Sequence, residues 1–423
     1  MKEEKQISTI NDFLGNNLVR SQTLSFYAGL TNFSNVKAFM TISEVLSQAV
    51  EISKIVKQMV TANTDPRQKA VAFLKCLYEC QNESLMKLPE TDLSLNMSHA
   101  QSMAEMLRTA NVPPFQDSFI DKTLTLRGLT LTPLDCLSVG YYIRNRITHK
   151  ERLIFDLTDC CVREIGMRLL LTEMTKEITK CTLAKVHLVL HYNQFDKESL
   201  LSLKELLQGQ LNIEFLGLGS CFDSAVVDSG YALKCLIEGL ANNYSCNSID
   251  LSANHFDSSH IHHIILFLLS CSRIEYLEFK YYDLSKVVSL FSHAVALSPL
   301  LYLNISYCNI SDPDLKTLGE KLHNNHDLCI LVLSDNKFTV AGLCKFLQLF
   351  KNNPYSQLVG LEVDLKFREH DNVKQIVKEV NEFRSALPYP CHHLRFVAFM
   401  DDEFAEKELF SRQLLEQIQT QQQ

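Results

Sequence analysis

Cys76 and Cys80 stand four residues apart, a spacing that on a helix brings two thiols to one face and could clip a metal. A structural zinc site needs four ligands, and no second pair stands at zinc-site spacing, so the two read as packed thiols. Cys160 and Cys161 are adjacent, and Cys160 falls at a repeat position that a structural role already explains. The run Ser259-His260-Ile261-His262-His263, with His255 nearby, is the densest in imidazole. On a helix His260 and His263 share a face and His262 does not, so this run reads as a solvated helix face. His392 and His393 have no ligand partner in view. No G-x-S-x-G elbow and no H-E-x-x-H pair occurs. Nucleophiles, acids and histidines are abundant but form no constellation. The expectation is a protein without catalytic, cofactor or metal residues.

The elements that carry these residues recur. Leu328, Leu331, Leu333, Asn336 and Phe338 fit the pattern L-x-x-L-x-L-x-x-N/C-x-L; so do Leu300, Leu303, Ile305, Cys308 and Ile310, and Cys246, Ile249, Leu251, Asn254 and Phe256. From Cys308 to Asn336 is 336 − 308 = 28 residues. Weaker copies place Leu129, Cys160, Asn193, Cys221 and Tyr282 at the Asn/Cys position. Leu124/Leu126, Phe155/Leu157, Leu188/Leu190, Leu216/Leu218 and Leu277/Phe279 precede them. Two degenerate units follow, around Leu358/Leu361/Val363 and Leu394/Val397/Phe399, making ten units at intervals of 26 to 36 residues.

Leucines two apart leave one face of a short strand. The Asn or Cys turns inward to meet backbone groups left unpaired as the chain bends away. A helix returns the chain to the next strand. It is wider than the strand spacing of about 4.8 Å, so the stack must curve with its strands inside. The expected fold class is α/β: a leucine-rich-repeat solenoid over 119–405, preceded by a small all-α domain over 1–118 and followed by a Gln-rich tail over 406–423. In the leading domain, Val36 to Val60 and Ser98 to Thr109 read as helices. A third starts at Thr64-Asp65-Pro66 and puts Val71, Leu74, Leu77 and Tyr78 on one stripe.

Composition excludes several classes. A formal net charge of −8 and no long basic block make a poor nucleic-acid binder. The segment MKEEKQISTINDFLG has no apolar stretch of signal-peptide type, and no window reaches the ~18–20 apolar residues of a membrane span. Fourteen cysteines then read as mostly free, buried thiols in a reducing cytoplasm.

Two stretches go beyond the generic repeat. The run Leu124 to Asn145 contains Leu-Thr-Pro-Leu-Asp-Cys at Leu131 to Cys136. It resembles the opening repeat of NOD-like receptors, the cytosolic innate-immune NACHT–LRR proteins. Upstream, Leu24 to Asn35 and Ala70 to Ser84 resemble the helical subdomain that precedes the repeats in that family. The resemblance implies a ribonuclease-inhibitor-like repeat array that recognises or scaffolds proteins in innate immunity. The sequence departs from the family in having no G-x-x-x-x-G-K-[ST], and no Gly-Lys pair at all, so nucleotide binding does not carry over.

Side chains alternating with the buried leucines point to the inner wall. Tyr276, Glu278, Lys280 and Tyr281 of one repeat and Tyr302, Asn304, Ser306 and Tyr307 of the next are therefore the expected protein-binding patch. Asp250, Asp335, Glu362 and Asp364 flank it and bias it toward a basic partner. Truncating Tyr276 and Tyr302 to alanine is expected to weaken binding at little cost in stability. A stand-alone regulator of a GTPase, or an inhibitor of an enzyme, is the alternative that fold-level analogy offers.

Overall fold

The computed structural model describes residues 120–146, 151–176, 185–209, 211–351, 353–387 and 393–396, together with Val71, Leu74, Lys75 and Tyr78. The remaining helical readings of the leading segment, the pair Cys76 and Cys80, His392 and the Gln-rich tail lie outside these residues.

The strands form one parallel sheet in sequence order. They are β1 (Ile120–Thr125), β2 (Glu151–Asp156), β3 (Lys185–Val189), β4 (Ile213–Gly217), β5 (Ser248–Asp250), β6 (Tyr276–Glu278), β7 (Tyr302–Asn304), β8 (Ile330–Val332), β9 (Gly360–Glu362) and β10 (Arg395–Phe396). Helices return the chain between them: α1 (Pro133–Arg146), α2 (Glu164–Thr175), α3 (Lys197–Gln208), α4 (Ser229–Ala241), α5 (Ser258–Ser270), α6 (Val288–Leu297), α7 (Asp312–Leu322) and α8 (Val340–Gln348), then α9 (Leu365–Arg368) with α10 (Asp371–Ser385). This is the curved leucine-rich-repeat solenoid expected from the pattern.

Register explains the core. Phe155, Leu188, Leu216, Ile249, Leu277, Leu303, Leu331 and Leu361 stand side by side across β2 to β9. All are buried, as are the residues two further on, from Leu157 to Val363. Several return helices begin at a capping residue. Asp196, Asp228, Asp257 and Thr339 each accept a hydrogen bond from a first-turn N–H, satisfying donors that a helix leaves open.

The Asn/Cys position is a staple between repeats. Asn254 Nδ2 donates to the carbonyls of Leu218 (2.9 Å) and Leu251 (2.8 Å). Its Oδ1 accepts from the amides of Cys221 and Phe222, each at 2.9 Å. Asn193 and Asn336 bridge neighbouring repeats in the same way. Cys160, Cys221 and Cys308 donate their thiols to the carbonyls of Leu126, Leu190 and Phe279 in the repeat before. Burial pushes these three thiols up to about 12, so they stay protonated and serve as weak donors. Tyr282 fills the position differently. Its ring stacks on Phe279, 4.1 Å between centroids, and its hydroxyl donates to the Leu251 carbonyl and accepts from the Asn254 amide.

One residue earlier, a second ladder runs through eight repeats. Gly128, Asp159, Tyr192, Ser220, Ala253, Tyr281, Tyr307 and Asp335 all have φ between 53° and 74°. Seven of them carry a Cβ, which the left-handed region disfavours by about 1–2 kcal/mol per residue. Their amides show what holds them there. Each of the first seven donates to a backbone carbonyl of the following repeat, from Gly128 to Thr158 (3.0 Å) through Tyr307 to Ser334 (3.2 Å). The last, Asp335, donates to Asp364 Oδ1 at 2.8 Å. The left-handed turn aims the N–H along the stack, so sheet-like bonding continues past the strand ends.

At the leading end, Val71 and Leu74 join the core of the first repeats. Tyr78 packs edge-on against Tyr141, 5.5 Å between centroids, and Lys75 pairs with Asp135 at 2.6 Å. A helical segment thus covers core that the first repeat would otherwise expose, as a solenoid end requires.

Candidate protein-recognition surface

The strand register sorts the inner-wall side chains into rows. The row before the buried leucines runs His187, Phe215, Ser248, Tyr276, Tyr302, Ile330. It is an aromatic ladder. His187 and Phe215 are 5.7 Å apart, Phe215 reaches Tyr276 edge-on at 6.1 Å across the small Ser248, and Tyr276 stacks on Tyr302 at 4.1 Å and 7°.

The row between the leucines runs Asp156, Val189, Gly217, Asp250, Glu278, Asn304, Val332, Glu362. Asp156, Asp250 and Asn304 each accept from the amide two residues on, at 2.8 to 3.0 Å, closing the turn after the strand. Glu278 has a longer side chain and does something else. It accepts from the hydroxyls of Tyr276 (2.9 Å) and Tyr302 (3.3 Å) and from Asn304 Nδ2 (3.3 Å), and it pairs with Lys280 at 3.1 Å. Burial first, and then the charge of Glu278, hold both phenols well above their usual range, so they remain donors.

Of the eight residues expected to form the patch, Tyr276, Glu278, Tyr302, Asn304 and Ser306 are buried, and Lys280 is half-buried. Only Tyr281 and Tyr307 are exposed, at 54% and 45%. They stack on each other, 4.6 Å between centroids, from neighbouring left-handed positions. The alternation rule therefore puts the eight side by side but misjudges which are accessible. Tyr302 is 0% exposed and Tyr276 5%, so their truncation will not spare stability. At a strand spacing of about 4.8 Å, large flat rings in one row close over each other.

The flanking acids are also partly used up. Asp250 caps its turn, Glu362 accepts from Ser334 Oγ at 3.1 Å, and Asp364 holds the Asp335 amide. Asp335 itself is exposed. The bias toward a basic partner is weaker than four free carboxylates would give.

Two features of the wall were not anticipated. Glu214 is an extra residue in β4, since Val186 pairs with Ile213 and His187 with Phe215. Its carboxylate accepts from Arg152 Nε and His187 Nε2, both at 2.9 Å, and from Lys185 Nζ. Burial would raise its pKa, but His187, Arg152 and Lys185 outweigh burial and hold it far below the usual carboxylate range. The second feature is a gap filled by His191. A Cβ on Gly217 or Gly219 would come within 2.9 Å of its ring. Gly219 donates its amide to His191 Nδ1 at 2.8 Å, and Nε2 lies 3.6 Å from Asp250. Applying the alternation rule to every repeat would have found Phe215 and His187; the bulge at Glu214 has no comparable signal.

The histidines of the 255–263 run lie on or beside α5. His260 closes a reciprocal cap with Asp257, and His262 and His263 are exposed. Among the described residues, no group of three or more His, Cys, Asp or Glu side chains is placed to hold a metal. Among the same residues, no helix is long and apolar enough to cross a membrane. No known family model matches the sequence, and no curated protein matches it.

Proposed function

We propose that the chain is a protein-recognition module of NOD-like-receptor type, working in the cytosol as a sensor or scaffold of innate immunity rather than as an enzyme. The observation that carries the binding role is the exposed, stacked pair Tyr281 and Tyr307. Two aromatic rings held on a rigid backbone lose little entropy on binding and bring large contact area, which suits an interface anchor. Half-buried Lys280 and exposed Asp335 supply charge nearby.

The receptor reading is supported by two of the three runs that carry the resemblance, Ala70 to Ser84 and Leu124 to Asn145. Lys75 and Tyr78, in the run Ala70 to Ser84, touch Asp135 and Tyr141, in the run Leu124 to Asn145. Within the second run, Thr132 and Asp135 cap α1 reciprocally. A gene-level check bears on this alone. A P-loop NTPase module encoded in frame upstream supports the receptor, and its absence favours a free-standing regulator of a GTPase or another enzyme.

Tyr281→Ala combined with Tyr307→Ala is expected to weaken binding of a cytosolic protein captured by the wild-type chain about tenfold or more. The melting temperature should stay within about 2 °C, because both rings are solvent-facing. Titration of wild type and variant against the same purified partner checks it. Equal affinities would remove the pair from the interface.

A further inference from the structure

The inner wall is buried more deeply than its own sheet explains. Ile154, Val189, Phe215, Tyr276, Tyr302, Ile330 and Val332 all point away from the leucines, and each is at most 7% exposed. None of them belongs to the core cluster that joins the strands to the return helices. On an open sheet, neighbouring side chains close the flanks of a residue and leave its tip in water. Tyr302 is stacked on Tyr276 on one side and stands beside the shorter Ile330 on the other, yet it is 0% exposed. The sheet is therefore covered on both faces, as parallel sheets ordinarily are. The return helices account for one face only.

The second cover must fill a groove about 34 Å long, seven strand spacings from β2 to β9. Val36 to Val60 spans about 36 Å as a helix. It contains neither Gly nor Pro, and Phe39, Ile42, Leu46, Ala49, Val56 and Val60 recur at helical spacing. Ten residues separate it from Val71, which sits in the core of the first repeats. That linker is long enough to enter the groove at its leading end.

Charge favours the same segment. The row between the leucines carries buried Asp156, Asp250, Glu278 and Glu362. The cations of the wall are already engaged, Arg152 and Lys185 by Glu214 and Lys280 by Glu278. Asp156 is 0% exposed, and its Oδ2 accepts no hydrogen bond from the described residues. Val36 to Val60 brings Lys37, Lys54 and Lys57 against Glu44 and Glu51. Glu79 to Phe119 and the segment after Phe396 each bring six acids and two cations, which this row repels.

We propose that Val36 to Val60 lies lengthwise in the inner groove, with its apolar stripe on the aromatic ladder, and shuts that ladder off from other proteins. Displacing the segment bares a second recognition surface. Tyr281 and Tyr307 stay accessible beside it, so the cover and their anchoring role stand or fall separately.

Hydroxyl-radical footprinting of the full chain, read by mass spectrometry, tests this. Tyr276 and Tyr302 are expected to react about tenfold more slowly than Tyr281 and Tyr307, in step with their exposure. Leu46→Glu with Val56→Glu should raise both to the rate of the exposed pair, while Tyr282, inside the core, stays protected. If Tyr282 loses protection too, the milder Lys54→Glu with Lys57→Glu decides, and should speed Tyr276 and Tyr302 several-fold. Fast reaction of these two in the wild type overturns the proposal, as does protection that survives both variants. Protection lost on dilution would make the cover a second copy and overturn it as well. So would protection lost instead in Phe410→Glu with Leu414→Glu, which would make the cover the far end of the chain.

Discussion

Asn254→Ala will cost the fold roughly 3–5 kcal/mol. The side chain is 6% exposed and serves four backbone groups at once: the carbonyls of Leu218 and Leu251 and the amides of Cys221 and Phe222. Alanine strands three of them at the junction of two repeats, while the Leu251 carbonyl keeps the Tyr282 hydroxyl. A buried polar group without a partner costs about 1–3 kcal/mol, and some relaxation or water entry will recover part of the sum. The two amides belong to the preceding repeat, so the damage reaches the nearest-neighbour interface on which a solenoid depends. Asn254→Cys should lose less. Cys221 and Cys308 show that a thiol at this position still reaches a carbonyl of the repeat before, although it cannot replace the acceptor. Urea unfolding measures the total, and hydrogen exchange locates it, with the amides of Cys221 and Phe222 losing protection first. A loss below about 1 kcal/mol with those two amides still protected would refute the staple.

The fold was legible because the residues that build it repeat. Leucines two apart identify the strand face, and Asn254 or Cys308 marks the place where the chain must leave the sheet. The left-handed ladder was not legible. Its position is filled by Gly, Asp, Tyr, Ser and Ala, and only Gly128 carries the residue type that signals positive φ. What fixes the conformation is an amide bonding into the next repeat, a tertiary constraint that residue type does not encode. Tyr281 and Tyr307 take their exposure from this backbone turn. Simple alternation therefore named them without distinguishing them from Tyr276 and Tyr302, which the sheet buries.

The accessible part of the site was harder to read for the same reason. Period two says which side of a sheet a residue leaves, not how much room remains there. Large rings in one row cover each other, and short acids such as Asp250 fold back onto their own turn. The Glu214 cluster was invisible because its members, Arg152, Lys185 and His187, come from two other repeats, and a one-residue bulge alone brings the carboxylate among them.

That cluster carries the second large expectation: Glu214→Gln will destabilise the chain by roughly 3 kcal/mol at neutral pH. The carboxylate is the hub of three basic side chains, and Arg152 and His187, with side chains 5% and 7% exposed, have little water to fall back on. Removing one partner of a buried ion pair costs about 3–5 kcal/mol because the other is left charged in a poor solvent. The partial exposure of Lys185, 26%, puts this case at the lower end. Lys185→Gln, by contrast, removes a pair open to water and should cost under about 1 kcal/mol. The pH dependence has a definite sign. Glu214 has a folded pKa below its unfolded value of about 4.3, so its contribution is fully present above that pH. It is lost only as the pH falls through the depressed folded value. The gap between wild type and Glu214→Gln in urea unfolding should therefore persist at pH 5 and close in stronger acid. A gap that vanishes between pH 6 and 5 would mean that the basic side chains do not hold the carboxylate ionised.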